Sequence, residues 1–227
     1  MIRLFGVGPM NITVFGASGP TGLLVCKQAL AAGHSVRAVS RRADRLPLPR
    51  HDNLEQVLAD PGTGAGVDGA LDGAHAALSA LGTAYTRKPI DIYSTGTSNI
   101  VSGLRERAAG RRLVVVSSGL TYPPPRTNIF GDLILFPLLR NVIGRTLYAD
   151  MRSMEEFLRT CDDIDWTVMR PGRLINRDQV SRYRLTPDVL DGGFTSRADL
   201  AAAMIAELEE PQHIHRAMAP ATDRRAK

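Results

Sequence analysis

A glycine-rich turn near the start of the chain constrains the fold more than any other feature. The residues before it, Asn11–Phe15, are mostly apolar and β-branched, and residues 23–32 after it carry apolar side chains at helical spacing. The turn itself, residues 16–22, reads GASGPTG, with glycine at every third position. The segment therefore predicts a strand, a tight turn and a helix, which together begin a β-α-β unit.

The same alternation of strand and helix continues along the chain. Short connections between alternating strands and helices favour a parallel sheet covered on both faces, and right-handed crossovers make that sheet doubly wound. We therefore expect an α/β fold: a doubly wound parallel sheet of Rossmann type, in three α/β/α layers and a single domain. Its core is expected over residues 11–219, with 1–9 as an extension and 220–227 as a frayed tail. Further strands are predicted at 35–40, 54–58, 76–81, 113–116, 166–169, 181–185 and 214–219, and further helices at 67–71, 90–109, 145–160 and 197–209.

Composition narrows the range of partners. The net charge is +5, but the arginines are scattered and only 5% of residues are aromatic, which argues against a nucleic-acid groove.

The longest apolar run, residues 133–139, is far shorter than the ~20 residues that span a bilayer. Residues 1–9 lack the features of a secretory signal, and Cys26 and Cys161 show no disulfide or metal-ligand spacing. We expect a cytoplasmic protein with reduced thiols that binds neither metal, membrane nor nucleic acid.

The spacing of the three glycines, G-x-x-G-x-x-G, differs from the usual G-x-G-x-x-G of dinucleotide-binding turns. Both spacings place similar physical demands on the three glycines. Gly16 permits the tight turn, Gly19 exposes the main chain where phosphate oxygens approach, and Gly22 lets helix and strand pack closely. The alternative is a plain strand-to-helix connection, but the position of the turn in a β-α-β unit favours binding of a dinucleotide diphosphate.

The residues between these glycines support the same interpretation. Ser18 and Thr21 add hydroxyl donors, and Pro20 suits the first helical turn because an N–H there would have no intrahelical partner. The free amides and the helix dipole then face the diphosphate.

Basic residues follow the second predicted strand, where an NAD-selective protein places an acid for the ribose 2′-hydroxyl. This chain has Arg41 and Arg42 there, and guanidinium groups suit the 2′-phosphate of NADP(H), which is the expected cofactor. The alternative is a solvated basic turn. Asp60, after the third strand, and Leu81 with Gly82, after the fourth, lie at strand carboxyl ends where adenine and ribose are expected.

Six blocks between residues 11 and 219 resemble one protein family. They are GASGPTG, SRRADRLP (40–47), ALGT (80–83), VVVSSG (114–119), DWTVMRPGRL (165–174) and SRADLA (196–201). Together they resemble the atypical short-chain dehydrogenase/reductases, specifically small proteins similar to biliverdin reductase B (flavin reductase) and the nitrogen-metabolite-repressor, or NmrA-like, type. The resemblance implies an NAD(P)-binding oxidoreductase in which Arg41, with Arg42 or Arg45 nearby, holds the 2′-phosphate.

The resemblance also implies roles for residues farther along the chain. Asp60 would lie beside the adenine, and Ser118 would take the active-site serine position near the nicotinamide. Ser117 and Pro171, from two of the matching blocks, are expected among the cofactor-binding residues. Alternatively, the two serines simply end a strand.

The chain departs from the superfamily at its catalytic pair. The Tyr-x-x-x-Lys of most of these reductases falls here on Leu147 and Met151, which belong to the core-facing stripe of a predicted helix. One residue later, Tyr148 and Arg152 share a helical face, and Arg152 could polarise Tyr148. The favoured interpretation is a solvated flank, with Arg152 to Glu156 and Glu155 to Arg159 as ion pairs, because a guanidinium does not exchange protons near neutral pH. Gly172 replaces the loop histidine of biliverdin reductase B, so biliverdin is not the expected substrate.

These observations lead to one principal hypothesis and one rival. The principal hypothesis is an NADPH-dependent oxidoreductase, monomer or homodimer, that transfers hydride to a small apolar or planar acceptor such as a flavin, quinone or carbonyl. Ser118 would be its polar contact, and the apolar residues 129–143 would form a lid or, alternatively, a subunit contact. The rival is an NADP(H)-binding regulatory or sensor protein without catalysis.

Overall fold

In the described part of the chain, an eight-stranded sheet lies between two layers of helices. The computed structural model describes residues 8–42, 44, 46–86, 88–107, 110–123, 136–177, 179–189 and 191–223. Its strands are β1 (Asn11–Phe15), β2 (Ser35–Ser40), β3 (Leu54–Leu58), β4 (Ala76–Ser79), β5 (Arg112–Val116), β6 (Asp165–Met169), β7 (Arg173–Ile175), β8 (Tyr183–Pro187), β9 (Phe194–Ser196) and β10 (Arg216–Thr222). Its helices are α1 (Pro20–Ala31), α2 (Val67–Leu71), α3 (Ile92–Arg105), α4 (Phe136–Leu138), a π-helical turn (Leu139–Ile143), α5 (Arg145–Leu158) and α6 (Arg197–Glu209). None of these helices is long and apolar enough to cross a membrane.

The strand order places the start of the chain at the centre of the sheet. The order is β3-β2-β1-β4-β5-β6-β10-β8, and β1 pairs in parallel with both β2 and β4. The path of the chain across the sheet therefore reverses beside β1, which is the switch point of a doubly wound sheet. The predicted α/β fold of Rossmann type is confirmed.

The C-terminal third differs from the prediction in three ways. Strand β8 runs antiparallel to β10 at the sheet edge, so the sheet is not wholly parallel. Strands β7 and β9 pair with each other in a separate small sheet, and neither was predicted because three residues carry too little periodicity. Strand β10 continues to Thr222, and Ala221 and Thr222 are buried. Residues 220–222 therefore belong to the sheet, not to a frayed tail.

The core consists of two apolar layers, one on each face of the sheet. Alternating residues of a strand point to opposite faces, so Val14 packs with α1 and α6 while its neighbour Phe15 packs with α2, α3 and α5. Strand β5 does the same with Val114 and Val115, as is typical of a central strand that is apolar on both faces. Each such side chain stabilises the fold by roughly 1.5–3 kcal/mol.

The two cysteines lie on opposite faces of the sheet. Cys26 belongs to the layer under α1 and Cys161 to the layer under α5, and both are buried. Burial raises the pKa of the Cys26 thiol to about 12, so this group stays protonated and unreactive. Both cysteines are therefore free thiols that pack in the core.

Helices α3 and α5 are joined by a buried carboxylate. Asp150 of α5 accepts hydrogen bonds from the first amides of α3, with Oδ2 2.8 Å from the Tyr93 nitrogen and Oδ1 3.2 Å from the Ser94 nitrogen. These amides have no partners within their own helix, so Asp150 caps α3 from a different element. This cap fixes the position of Tyr93 at the carboxyl end of the sheet.

A second buried carboxylate on α5 connects the helix to the strands beneath it. Glu155 is 2% exposed and Arg170, just after β6, is 5% exposed; Nη2 of Arg170 lies 2.5 Å from Oε2 of Glu155. Glu155 also accepts a 2.6 Å hydrogen bond from the Ser117 hydroxyl at the end of β5. The predicted pair between Glu155 and Arg159 is present at 3.7 Å, but its placement on a solvated flank is wrong. The reason is that Arg170 covers this side of α5.

We expect Glu155→Gln to destabilise the protein by about 3 kcal/mol, because the guanidinium of Arg170 then stays buried without its main counter-charge. Urea unfolding measures this difference. Glu156→Gln is the matched control, since Glu156 is exposed on the same helix and its change should stay within about 0.5 kcal/mol. Equal stability of the two variants would show that the buried pair contributes nothing.

Candidate cofactor site

A cleft of about 450 Å³ opens at the carboxyl ends of the central strands, beside the switch point between β1 and β4. In open α/β sheets this is the position at which ligands bind. Nine of the residues singled out from the sequence line it together: Gly16, Ser18, Gly19, Pro20, Thr21, Arg41, Leu81, Gly82 and Ser117.

The glycine turn is held by close main-chain contacts. Gly16 adopts a left-handed conformation, with φ at +75°, and a Cβ there would lie 2.5 Å from the carbonyl oxygen of Ala80. A Cβ on Gly22 would lie 2.2 Å from the carbonyl oxygen of Gly16. Both positions therefore require glycine, and Gly22 contributes to helix packing rather than to the lining of the cleft, as its predicted packing role implies.

The amino end of α1 faces the cleft without any cap from the protein. Its N-cap residue is Gly19, Pro20 follows as the first helical residue, and the first turn contains no acidic side chain and no side-chain hydrogen bond to the cap. The amides of Thr21 and Gly22 have no intrahelical acceptor at these positions. Main-chain donors, the positive end of a 12-residue helix and the hydroxyls of Ser18 and Thr21 form a donor set that fits an anionic diphosphate.

The arginines after β2 do not all have the same position. Arg41 lines the cleft, whereas Arg42 is exposed and does not; its carbonyl oxygen accepts a 2.6 Å hydrogen bond from the Ser40 hydroxyl. That bond closes the turn after β2 and presents Arg41 at its tip. Arg45 lies outside the described residues.

Asp60 and Pro171 lie beside the cleft but do not line it. Asp60 accepts a 2.9 Å hydrogen bond from the Gly62 nitrogen on Oδ1, so it shapes the loop whose neighbours Ala59 and Pro61 line the cleft. Pro171 is buried, and its carbonyl oxygen accepts a 2.8 Å bond from the Gly119 nitrogen, which holds the loop after β5 in place.

Three hydroxyl groups meet next to the cleft. The phenols of Tyr85 and Tyr148 share a hydrogen bond of 2.9 Å, and the hydroxyl of Ser118 lies close enough to the Tyr148 phenol to act against the rise in its pKa. Each member adjoins a lining residue, because Tyr85 follows Ala84, Ser118 follows Ser117, and Tyr148 lies one turn before Met151 on α5. We call Tyr85, Tyr148 and Ser118 the hydroxyl cluster.

The position of Tyr148 in the hydroxyl cluster differs from its position predicted from the sequence. Tyr148 is 3% exposed, so its placement on a solvated flank is wrong; the loop that carries Tyr85 covers it. Burial, followed by the hydrogen bond with Tyr85, raises the pKa of Tyr148 above its ordinary value of 10.0. Tyr148 therefore remains protonated at neutral pH and can donate a hydrogen bond. Arg152 instead points to the loop after β5, donating to the Thr121 carbonyl oxygen at 3.0 Å.

Sequence reasoning did not assign several lining residues to the site. Tyr93 lines the cleft, and its phenol accepts a 3.4 Å hydrogen bond from the Thr83 nitrogen. Met151, Leu174 and Arg197 line it from α5, β7 and α6. Among these residues, only Arg197 could have been recognised in the sequence, because it directly follows a serine that predicts the start of a helix.

The predicted lid is only partly described. Residues 129–135 lie outside the described residues. In the remainder, Leu138, Val142 and Ile143 are exposed and no side chain of residues 136–143 lines the cleft. The described end of this segment therefore does not wall the pocket.

The fold and the cleft define a nucleotide-binding α/β protein, and comparison with known proteins identifies the family. The NAD(P)H-binding family model matches residues 16–211, so the chain belongs to this family. The expected membership among NAD(P)-binding proteins is thereby confirmed.

One relative and two solved structures with the same fold each match most of this chain. An uncharacterized chloroplastic protein of Arabidopsis thaliana is 31% identical over 210 residues, covering 87% of this chain and 71% of its own. A short-chain dehydrogenase/reductase from Veillonella parvula in complex with NADP is 16% identical, with a TM-score of 0.76 and 95% of each chain covered. A candidate NADH-flavin reductase from Streptococcus pneumoniae is 22% identical, with a TM-score of 0.74, covering 94% of this chain and 100% of its own.

We expect Gly22→Ala to destabilise the protein by about 1–3 kcal/mol and to weaken NADPH binding, because the new methyl group pushes the start of α1 away from Gly16. Urea unfolding and calorimetric titration measure the two effects. Gly69→Ala in α2 is the control: its Cβ meets no atom within 4 Å, so binding should be unchanged and stability slightly higher. Unchanged binding in Gly22→Ala would contradict the role of the close contact.

Proposed function

We propose that this protein is an NADPH-dependent oxidoreductase that reduces a small apolar or planar acceptor, such as a flavin, a quinone or a carbonyl compound. The observation that carries the proposal is the position of the hydroxyl cluster directly beside the cleft of an NAD(P)H-binding protein. In a protein that only bound the nucleotide, these hydroxyls would serve packing alone.

The residues around the glycine turn would hold the cofactor. The amino end of α1, with Ser18 and Thr21, would bind the diphosphate, and Arg41 would bind the 2′-phosphate. Arg42 would add positive charge to the same turn without lining the cleft. Leu81 and Gly82 follow β4 and would contact the adenine and ribose, with the Asp60 loop beside them. NADP in the Veillonella parvula structure supports the same choice of cofactor.

The hydroxyl cluster would supply the acceptor with a hydrogen bond or a proton. When bound, NADPH supplies a hydride, and negative charge then develops on an oxygen or nitrogen of the acceptor. Ser118 and Tyr148 would stabilise that charge by donating hydrogen bonds in a site where burial strengthens them. Burial raises the pKa of Tyr148 above its ordinary value, so its phenol keeps its proton and acts as a hydrogen-bond donor. Met151 and the apolar part of Tyr93 would exclude water from the reacting atoms.

A panel of acceptors tests the activity. Purified protein should oxidise NADPH over multiple turnovers with at least one flavin, quinone or carbonyl acceptor, followed by the loss of absorbance of the reduced cofactor. Tight NADPH binding with no turnover across the panel would contradict the proposal and favour the nucleotide-binding regulator instead.

Replacing Ser118 with Ala should lower kcat at least about tenfold and leave the Kd for NADPH unchanged, because a transition-state hydrogen bond worth about 1.4 kcal/mol corresponds to that factor. Tyr148→Phe should act in the same direction. Ser102→Ala is the control, since Ser102 is exposed on α3. An unchanged rate in both Ser118→Ala and Tyr148→Phe would remove the hydroxyl cluster from the reaction.

Replacing Arg41 with Gln should raise the Kd for NADPH roughly 10- to 100-fold and change the Kd for NADH little, because the lost charge-assisted hydrogen bonds contact only the 2′-phosphate. Titration of both nucleotides measures the ratio. Arg50→Gln, at an exposed position beyond the same turn, is the charge-matched control. Equal losses for NADPH and NADH in Arg41→Gln would contradict a 2′-phosphate contact.

A further inference from the structure

Arg197 borders the same cofactor cleft as Arg41. It is the first residue of α6, which packs against α1, and its side chain lines the cleft together with Gly19 and Leu174. The starts of α1 and α6 therefore lie on the same face of the sheet and border the same cleft. Arg197 therefore shares the cleft with Gly19, the N-cap residue of α1, where the donor set for a diphosphate is found.

The guanidinium of Arg197 retains unused hydrogen-bonding capacity. Nη1 donates to Oδ1 of Asn176 at 2.7 Å, whereas Nε is buried without a hydrogen-bond partner among the residues that the structure describes. The nearby carboxylate of Asp199 is already occupied: Oδ1 accepts from the Ser181 nitrogen at 2.6 Å, and Oδ2 accepts from the hydroxyls of Ser181 and Thr222. A buried donor without a partner is unfavourable in the protein alone, which points to an acceptor supplied by a ligand.

The local electrostatics lead to the same conclusion. The positive end of a helix dipole disfavours a cation in the first turn, and Arg197 is the first residue of a 13-residue helix. The positive end of α1, which borders the same cleft, adds to this field. Asp199 in the first turn offsets only part of this charge. An anion between the two helix ends would be stabilised by both dipoles and by the guanidinium.

We propose that Arg197 binds the diphosphate of the cofactor together with the glycine turn. The inference rests on the proposed function, which supplies the anion. It assigns separate tasks to two arginines: Arg41 would recognise the 2′-phosphate and thereby choose between NADPH and NADH, whereas Arg197 would strengthen the binding of both. Arg197 is a binding residue in this account and takes no part in the chemistry at the acceptor.

Three ligands separate the two tasks: NADPH, 2′-phospho-ADP-ribose and adenosine 2′-monophosphate. The first two contain the diphosphate, and the third contains the 2′-phosphate without it. Arg197→Gln should raise the Kd for NADPH and for 2′-phospho-ADP-ribose about tenfold and leave the Kd for adenosine 2′-monophosphate unchanged. Arg41→Gln should weaken all three. Calorimetry, with competition titrations for the weakest ligand, measures these constants without any turnover.

Control variants exclude a purely structural effect. Arg173→Gln removes an exposed arginine at the start of β7, the strand next to β9, and should change none of the three constants. Arg197→Lys keeps the charge and should retain part of the affinity. Thermal unfolding of each variant shows whether α6 and the small β7-β9 sheet remain folded.

Several outcomes would overturn the inference. Equal weakening of all three ligands in Arg197→Gln would indicate a general effect of charge or folding, and loss of affinity for NADPH alone would place Arg197 at the nicotinamide. Unchanged binding of all three would show that the guanidinium does not reach the ligand. If the unaltered protein bound neither NADPH nor 2′-phospho-ADP-ribose, the proposed function would fail and this inference with it.

Discussion

The contact between Gly16 and Gly22 is the constraint on which the rest of the structure depends. Side chains at these positions would overlap main-chain atoms of Ala80 and Gly16, so only glycine lets β1, β4 and α1 approach so closely. This approach brings the uncapped start of α1 to the switch point of the sheet. The amides at the start of α1 therefore face the cleft because the central strands pack closely against this helix.

The acceptor side of the site depends on helix α5. Asp150 caps α3 and thereby positions Tyr93, Glu155 holds Ser117 and Arg170, and Tyr148 contributes its phenol to the hydroxyl cluster. Because of these contacts, the same residues of α5 stabilise the fold and determine the shape of the cleft. A change at Glu155 that destabilises the fold would also disturb Ser117, so binding and stability have to be measured together for variants of this helix.

The sequence predicted the parts of the structure that depend on local conformation. Glycine spacing and alternating apolar residues were sufficient for β1, its turn and the central strands, since backbone geometry itself limits which residues fit there. The hydroxyl cluster could not be predicted in this way. Tyr148 and Glu155 lie beside the expected apolar stripe of α5, and they are buried only because Tyr85 and Arg170, 63 and 15 residues away, cover them. Arg197 was missed for the same reason, because its neighbour α1 is distant in sequence.

A crystal structure of the protein with NADPH tests the central claim most directly, that the main chain at the start of α1 binds a dinucleotide diphosphate. The account predicts diphosphate oxygens within hydrogen-bond distance of the amides of residues 19–22. A nucleotide bound elsewhere, or bound in this cleft with its diphosphate away from these amides, would contradict it.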